Sequence, residues 1–263
     1  MHGASGGNRA KKNDTGLSLA EWLVRDDFTL VMSSGFFGFF AHCGMLQALE
    51  SASIRPAAVA GSSAGALVGG CWAAGLNAGE IGDSLLRLHR SDFWDPWPGP
   101  GLLRGRKFRD MLRELLPVSC FSECRIPASF SAFDLLGLKT AVLQSGELVP
   151  AVHASCAVPL MFHPVWINGR PFMDGGIADR PGIAGVKTNS RVLFHHLSSR
   201  SPWRLTEPRP PRRNNLATLT INGLPRVDPF QLHRGAEAIE RARGETLSAL
   251  EKPLARFYVE LET

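Results

Sequence analysis

The sequence predicts an α/β protein built on a mainly parallel central sheet. Two observations carry that expectation. Residues 28–75 read as two successive strand–turn–helix units, and further strand-like runs at 128–135, 138–143, 191–197 and 216–221 follow among helical segments. At 263 residues and 44% hydrophobic composition the chain can bury one large core, and no domain boundary interrupts it.

In chain order, the polar opening MHGASGGNRAKKNDTG lacks an apolar stretch behind its basic residues, so residues 1–17 read as a disordered leader rather than a secretory signal. A single domain is expected over 18–263. Ser18 and Glu21 form a capping box that starts a short helix ending near Arg25. FTLVM (28–32) is a buried strand, SSGFFGFF a glycine-bearing turn, and AHCGMLQALESA (41–52) a helix with apolar spacing at Met45, Leu46 and Leu49. The unit repeats as PAAVAG (56–61), the turn GSSAG and the small-residue helix to Gly75. Helices are predicted at 77–90, capped by Asn77, and at 105–116, with a Pro- and Trp-rich loop between them. A helix within SGELVPAVHASCAVP ends by Pro159, and Asp228-Pro229 is expected to open a C-terminal helix running to about Leu250.

Composition excludes several classes. No run of eighteen apolar residues is present, so no membrane span is expected. The five cysteines (43, 71, 120, 124 and 156) contain no CxxC pair and read as thiols in a reducing, cytoplasmic setting. Neither a zinc site, nor a calcium loop, nor any organic cofactor is predicted. Net charge is +5, concentrated between 187 and 213, where seven basic residues meet one acidic residue. This Pro-rich basic loop, at about 198–215, is either a solvated segment or a contact for an anionic membrane surface; no nucleic-acid fold signature accompanies it.

Gly61, Ser63 and Gly65 satisfy G-x-S-x-G, a weak signal by itself. The context strengthens it: a strand, small flanking residues and a helix starting at Ala64 are what a nucleophile elbow requires. The helix N-terminus would direct N–H groups at the serine oxygen and at an oxyanion. Downstream, Asp174 precedes Gly175 and Gly176, a composition that lets a carboxylate approach another backbone closely.

Taken together, VAGSSAGAL, MDGG (173–176), the intervening AVHASCAVPLMFHPVWINGRPF (151–172) and the glycine-bearing turn before AHCGMLQALE resemble the patatin-like phospholipase family over roughly residues 28–185. The resemblance implies a three-layer α/β/α acyl hydrolase with a serine–aspartate dyad: Ser63 as nucleophile, Asp174 as general base, a lipid or other carboxylic ester as substrate, and no cofactor. It also implies an oxyanion hole from the turn Gly35-Phe36-Phe37-Gly38, although this sequence departs from the family's usual run of glycines there. Backbone N–H groups suffice for such a hole, so phenylalanine can donate as glycine does.

Other readings stay open at this point. Ser63, Asp174 and then His195 or His196 follow the chain order of a Ser–His–Asp α/β-hydrolase. A catalytically silent lipid-binding protein is the reading from a different class, motivated by the altered turn and by Phe93, Trp94 and Trp97, which read as exposed. An acyltransferase would use the same acyl-enzyme. Phe36, Phe37, Phe39 and Phe40 read as an acyl-binding wall or as core.

Overall fold

Why the strands are so apolar becomes clear from where they lie. The computed structural model describes residues 16–198, 211, 213 and 215–254. Most of the expected leader, and residues 199–210, 212 and 214 of the basic loop, lie outside that set. The elements run α1 (Leu19–Arg25), β1 (Phe28–Met32), α2 (Phe39–Ser51), β2 (Ala58–Ser62), α3 (Ala64–Ala73), α4 (Ala78–Leu86), β3 (Gly101–Leu103), α5 (Arg106–Leu115), β4 (Ala128–Asp134) and β5 (Lys139–Leu143). They continue with α6 (Leu148–Ser155), β6 (Leu160–Phe162), β7 (Val165–Ile167), β8 (Arg170–Asp174), β9 (Arg191–His196), β10 (Leu216–Thr220) and α7 (Gly235–Leu250).

Five strands, in the order β10, β9, β1, β2, β4, pair in parallel. Strands buried on both faces need apolar side chains at odd and even positions alike, which accounts for runs such as FTLVM. Leu30, Met32, Val59 and Leu193 point to the face covered by the helices. Val31, Ala60, Val192 and Phe194 point to the other face, where Ile183 and Val186 close over them. The architecture belongs to the three-layer α/β/α class; among the described residues the helices cover the first face, and the segment carrying Ile183 and Val186 covers the second.

Strand β4 organises the far side of the sheet. Its residue Ala132 pairs with both Ala141 of β5 and Asp174 of β8, and Ser131 pairs with both Val142 of β5 and Ser62 of β2. A residue has only two edges, so β5 occupies one edge while β2 and β8 share the other. They arrive from opposite directions and meet end to end, with Ser62 opposite Ser131 and Asp174 opposite Ala132. Two segments far apart in sequence thereby converge on adjacent registers of one strand, ~3.3 Å apart along it.

The first unit matches the expectation closely. Ser18 Oγ accepts from Glu21 N at 3.1 Å, and the Glu21 carboxylate accepts from Ser18 N at 2.7 Å. Asn77 and Glu80 repeat that reciprocal cap at α4, which is shorter than expected and ends at Leu86. The C-terminal helix departs further, for α7 begins at Gly235 rather than after Asp228. Asp228 Oδ1 accepts from Phe230 N at 2.8 Å, two residues on, so this aspartate closes a turn instead of capping a helix. Strands β6, β7 and β8 are not among the sequence expectations. Asn168 and Gly169 carry positive φ of 49° and 75° between β7 and β8, the geometry of a two-residue hairpin turn.

Candidate active site

Ser63 stands between β2 and α3, at φ 53° and ψ −114°. A non-glycine residue with positive φ is strained by about 1–3 kcal/mol and persists only where its surroundings hold it. Here they hold it from both sides. Ser63 N donates to Ser155 Oγ at 2.9 Å, Ser155 Oγ donates to the Ser131 carbonyl at 2.7 Å, and the Cys156 thiol donates to the Ser63 carbonyl at 3.2 Å. The end of α6 is therefore the clamp on this turn. Ser155 and Cys156 were not singled out by sequence reasoning, although both lie in the ASCAVP segment that carries part of the family resemblance.

Gly61 and Gly65 allow the turn to close. A Cβ on Gly61 would sit 2.6 Å from the Gly65 carbonyl carbon, and one on Gly65 would meet the Met32 carbonyl. Small residues at these positions are thus a steric requirement, and the helix that follows starts with Ser63 as its first flanking residue.

Asp174 is buried at the end of β8. Its amide donates to the Ala157 carbonyl at 2.9 Å, and its Oδ1 accepts from Gly176 N at 2.7 Å. Gly175 lies so close to β2 and β4 that a Cβ there would be 2.7 Å from Ser62 Oγ and would collide with the Ser131 carbonyl. Cys156 links the two halves of the site: burial first, and then the nearby Asp174 charge, hold its thiol well above the usual range. The same sulfur contacts the backbone of Ser63.

The loop after Asp174 is pinned by Asp179, a residue that sequence reasoning missed. Its carboxylate accepts from Ser131 Oγ at 2.6 Å and from the amides of Gly182, Ile183 and Ala184. One aspartate thus ties the Asp174 loop to β4.

The turn at 35–38 closes through Gly38 N to the Gly35 carbonyl at 2.9 Å, with Phe37 at φ 54°. Phe37 is held in that conformation by rings on three sides, with centroids 4.8 Å away in Phe36, 5.3 Å in Phe39 and 6.0 Å in Phe93. Among the described residues, the amides of Gly35, Phe36 and Phe37 donate to no protein acceptor. They border the same cleft as Ser63, a volume of about 80 Å³ walled by Leu67, Leu88, Phe93, Phe108, Met111 and Phe162. Of the four phenylalanines left open between wall and core, Phe36, Phe37 and Phe39 line the cleft and Phe40 is core. Phe93, expected to be exposed, is buried in the cleft wall; Trp97 is the exposed one.

Below the turn lies a buried pair of histidines. His42 Nε2 bonds the Ser33 carbonyl at 2.9 Å, so it must donate, and its Nδ1 is then bare. His195 Nδ1 consequently donates to His42 Nδ1 at 2.8 Å. Burial pushes His42 down to about 4, against the Ser33 bond that favours its charged form, and pushes His195 well below its ordinary range. Both rings are therefore neutral supports of the strand β1 exit. Neither His195 nor His196 is among the residues that line the Ser63 cleft. Among the described residues, no three His, Cys, Asp or Glu side chains cluster as a metal site, and no helix is long and apolar enough to cross a membrane.

The comparisons with known proteins settle the lineage. A family model for patatin-like phospholipase matches residues 30–186, which contains the turn, Ser63 and Asp174. The chain belongs to the patatin-like phospholipase family. It is 34% identical over 186 residues to an uncharacterized NTE family protein of Mycobacterium tuberculosis, covering 68% of this chain and 52% of that protein. It is also 25% identical over 183 residues to the lysophospholipase NTE1 of Scheffersomyces stipitis, covering 67% of this chain and 12% of that one. This patatin-like chain thus spans about half the length, or less, of the curated relatives it matches. Among solved structures, VipD from Legionella pneumophila superposes with a TM-score of 0.53 at 15% identity, over 86% of this chain and 67% of that one. That likeness is one of fold alone.

Proposed function

We propose that the chain is a serine lipid acyl hydrolase, in which Ser63 is the nucleophile and Asp174 the general base. One observation carries the reading: a strained, half-buried serine at the mouth of an apolar cleft, on a strand that meets the Asp174 strand end to end. Strain retained at a turn that faces a cleft is a mark of a functional site.

The chemistry follows from the placement. Asp174 takes the Ser63 Oγ proton as Oγ bonds the ester carbonyl carbon, and the carbonyl oxygen becomes an oxyanion. The amides of Gly35, Phe36 and Phe37 and the first amides of α3 are the donors available to that charge. The ester C–O bond then breaks, and the leaving alcohol takes the proton from Asp174. Water attacks the acyl-enzyme by the same route, giving the acid and restoring Ser63. The apolar cleft takes the acyl chain, which favours lipid esters such as lysophospholipids and phospholipids over polar ones. The name of the yeast relative, lysophospholipase, accords with this substrate class. The unclaimed amides of the turn favour an active enzyme over a silent lipid binder.

The test is release of fatty acid from lysophosphatidylcholine by the wild type, Ser63→Ala and Asp174→Asn. Hydrolysis by the wild type alone is expected. Equal rates in all three would overturn the assignment of both residues.

A further inference from the structure

Beside the cleft, β3 and β6 form a separate two-stranded parallel sheet, with Gly101 opposite Leu160 and Leu103 opposite Phe162. Its inner side is conventional: Leu103 and Phe162 are buried, and Phe162 walls the cleft. Its outer side is not. Trp97 is 57% exposed, Leu102 51% and Leu160 67%. Trp97 N donates to the Leu102 carbonyl at 3.1 Å, and Leu160 lies across the strand pair beside Gly101. Leu160 also has φ 64°, so a leucine is held outward in water by a backbone conformation that leucine disfavours. Neither burial nor local propensity explains it.

The charged residues within this segment are all basic. Residues 96–107 contain Arg104, Arg106 and Lys107 and no carboxylate. The Arg104 guanidinium lies 5.1 Å from the centre of the Trp97 ring, on its face. The nearby Asp95 is committed elsewhere, its carboxylate accepting from the amides of Gly105, Arg106 and Lys107. Exposed tryptophan and leucine with arginine and lysine in the same segment match a bilayer interface, where apolar groups enter the acyl boundary and cations meet anionic headgroups.

We infer that the exposed apolar residues of the β3–β6 flap, Trp97, Leu102 and Leu160, together with the adjoining Arg104, Arg106 and Lys107, dock the protein onto an anionic phospholipid surface. Val158, Met161 and Phe162 line the cleft from the same segment that carries Leu160, so docking would set the cleft mouth at the membrane. The orienting role rests on the proposed lipid hydrolase; the binding itself does not. None of these residues belongs to the basic stretch near 187–213.

The experiment is co-flotation of the full chain with vesicles of phosphatidylcholine alone, or of phosphatidylcholine with phosphatidylglycerol. Proteins compared are the wild type, Ser63→Ala, the double variant Trp97→Ala/Leu160→Gly and the charge variant Arg104→Gln/Lys107→Gln. Glycine suits the positive φ at 160, and hydrolysis of a soluble short-chain ester and the melting temperature report intact folding. Wild type and Ser63→Ala should float with the anionic vesicles, and both double variants should lose at least tenfold in the bound fraction with soluble-ester hydrolysis unchanged. Absence of flotation by the wild type, equal flotation of wild type and variants, or indifference to phosphatidylglycerol would each overturn the inference. A concentration-dependent dimer lost in the apolar variant, without vesicle binding, would assign the face to a second copy and overturn it too. Flotation of a wild type that hydrolyses no ester would sink the enzymatic reading alone.

Discussion

Lowering the pH from 7.5 to 5 should destabilise the fold steeply, for reasons specific to two buried histidines. His42 and His153 are each pushed down to about 4 from an ordinary 6.5, in both cases chiefly by burial. At His153 the Arg109 charge lowers it further and Asp95 opposes. The unfolded chain therefore binds protons below pH 6.5 that the native chain refuses until about pH 4, and stability falls as pH falls through that window. With those values each histidine costs about 2 kcal/mol at pH 5 relative to pH 7.5, so the pair costs about 4 kcal/mol. His195, shifted the same way, adds to the loss. For a denaturation slope near 2 kcal/mol/M, the urea midpoint should drop by about 2 M or more. His153 isolates one share of this effect, because among the described residues its Nε2 has no hydrogen-bond partner, and its ring packs against Phe108 and Phe162. His153→Phe should keep the stability at pH 7.5 and remove about 2 kcal/mol of the pH 5 loss. Urea titrations of wild type and variant at both pH values check this. A pH-independent midpoint, or an identical drop in His153→Phe, would refute the reasoning.

Further outcomes follow from individual contacts. Ser63→Gly should raise stability by about 1 kcal/mol, since relief of the strained φ exceeds the extra chain entropy of glycine, while abolishing hydrolysis; a lower melting temperature would contradict it. Gly175→Ala puts a methyl against Ser62 and the Ser131 carbonyl, so it should cost about 1–3 kcal/mol in urea titration and at least ~100-fold in turnover through displacement of Asp174. His42→Leu removes the donor to the Ser33 carbonyl at the foot of the 35–38 turn, and should lower kcat with little change in KM. His42→Gln, which can still donate there, should recover part of it, and equal kcat values for the two variants would detach this histidine from the turn.

The parallel half of the fold was legible because its signals are local. FTLVM and VAGSSAG each pair a buried strand with a turn and a helix, and Ser63 is fixed by small neighbours within a few residues. The antiparallel half was harder. Strands β6 and β7 are three residues each, too short for alternation to register, although Asn168-Gly169 was a readable hairpin turn. The placement of Asp174 was not local at all: it depends on β2 and β8, segments more than a hundred residues apart, each pairing with one edge of β4, which no window of sequence contains. Phe93 misled because a Pro- and Trp-rich loop reads as surface, whereas this one side chain turns inward to wall the cleft. Ser155 and Cys156 act on Ser63 from α6 through single hydrogen bonds, which leave no periodic trace.

The most direct test of the central claim is labelling by a fluorophosphonate probe, which reports an activated serine whatever the natural substrate. Wild type should label and Ser63→Ala should not, with Asp174→Asn strongly reduced. Labelling of Ser63→Ala equal to that of the wild type, or no labelling of a folded wild type, would contradict it.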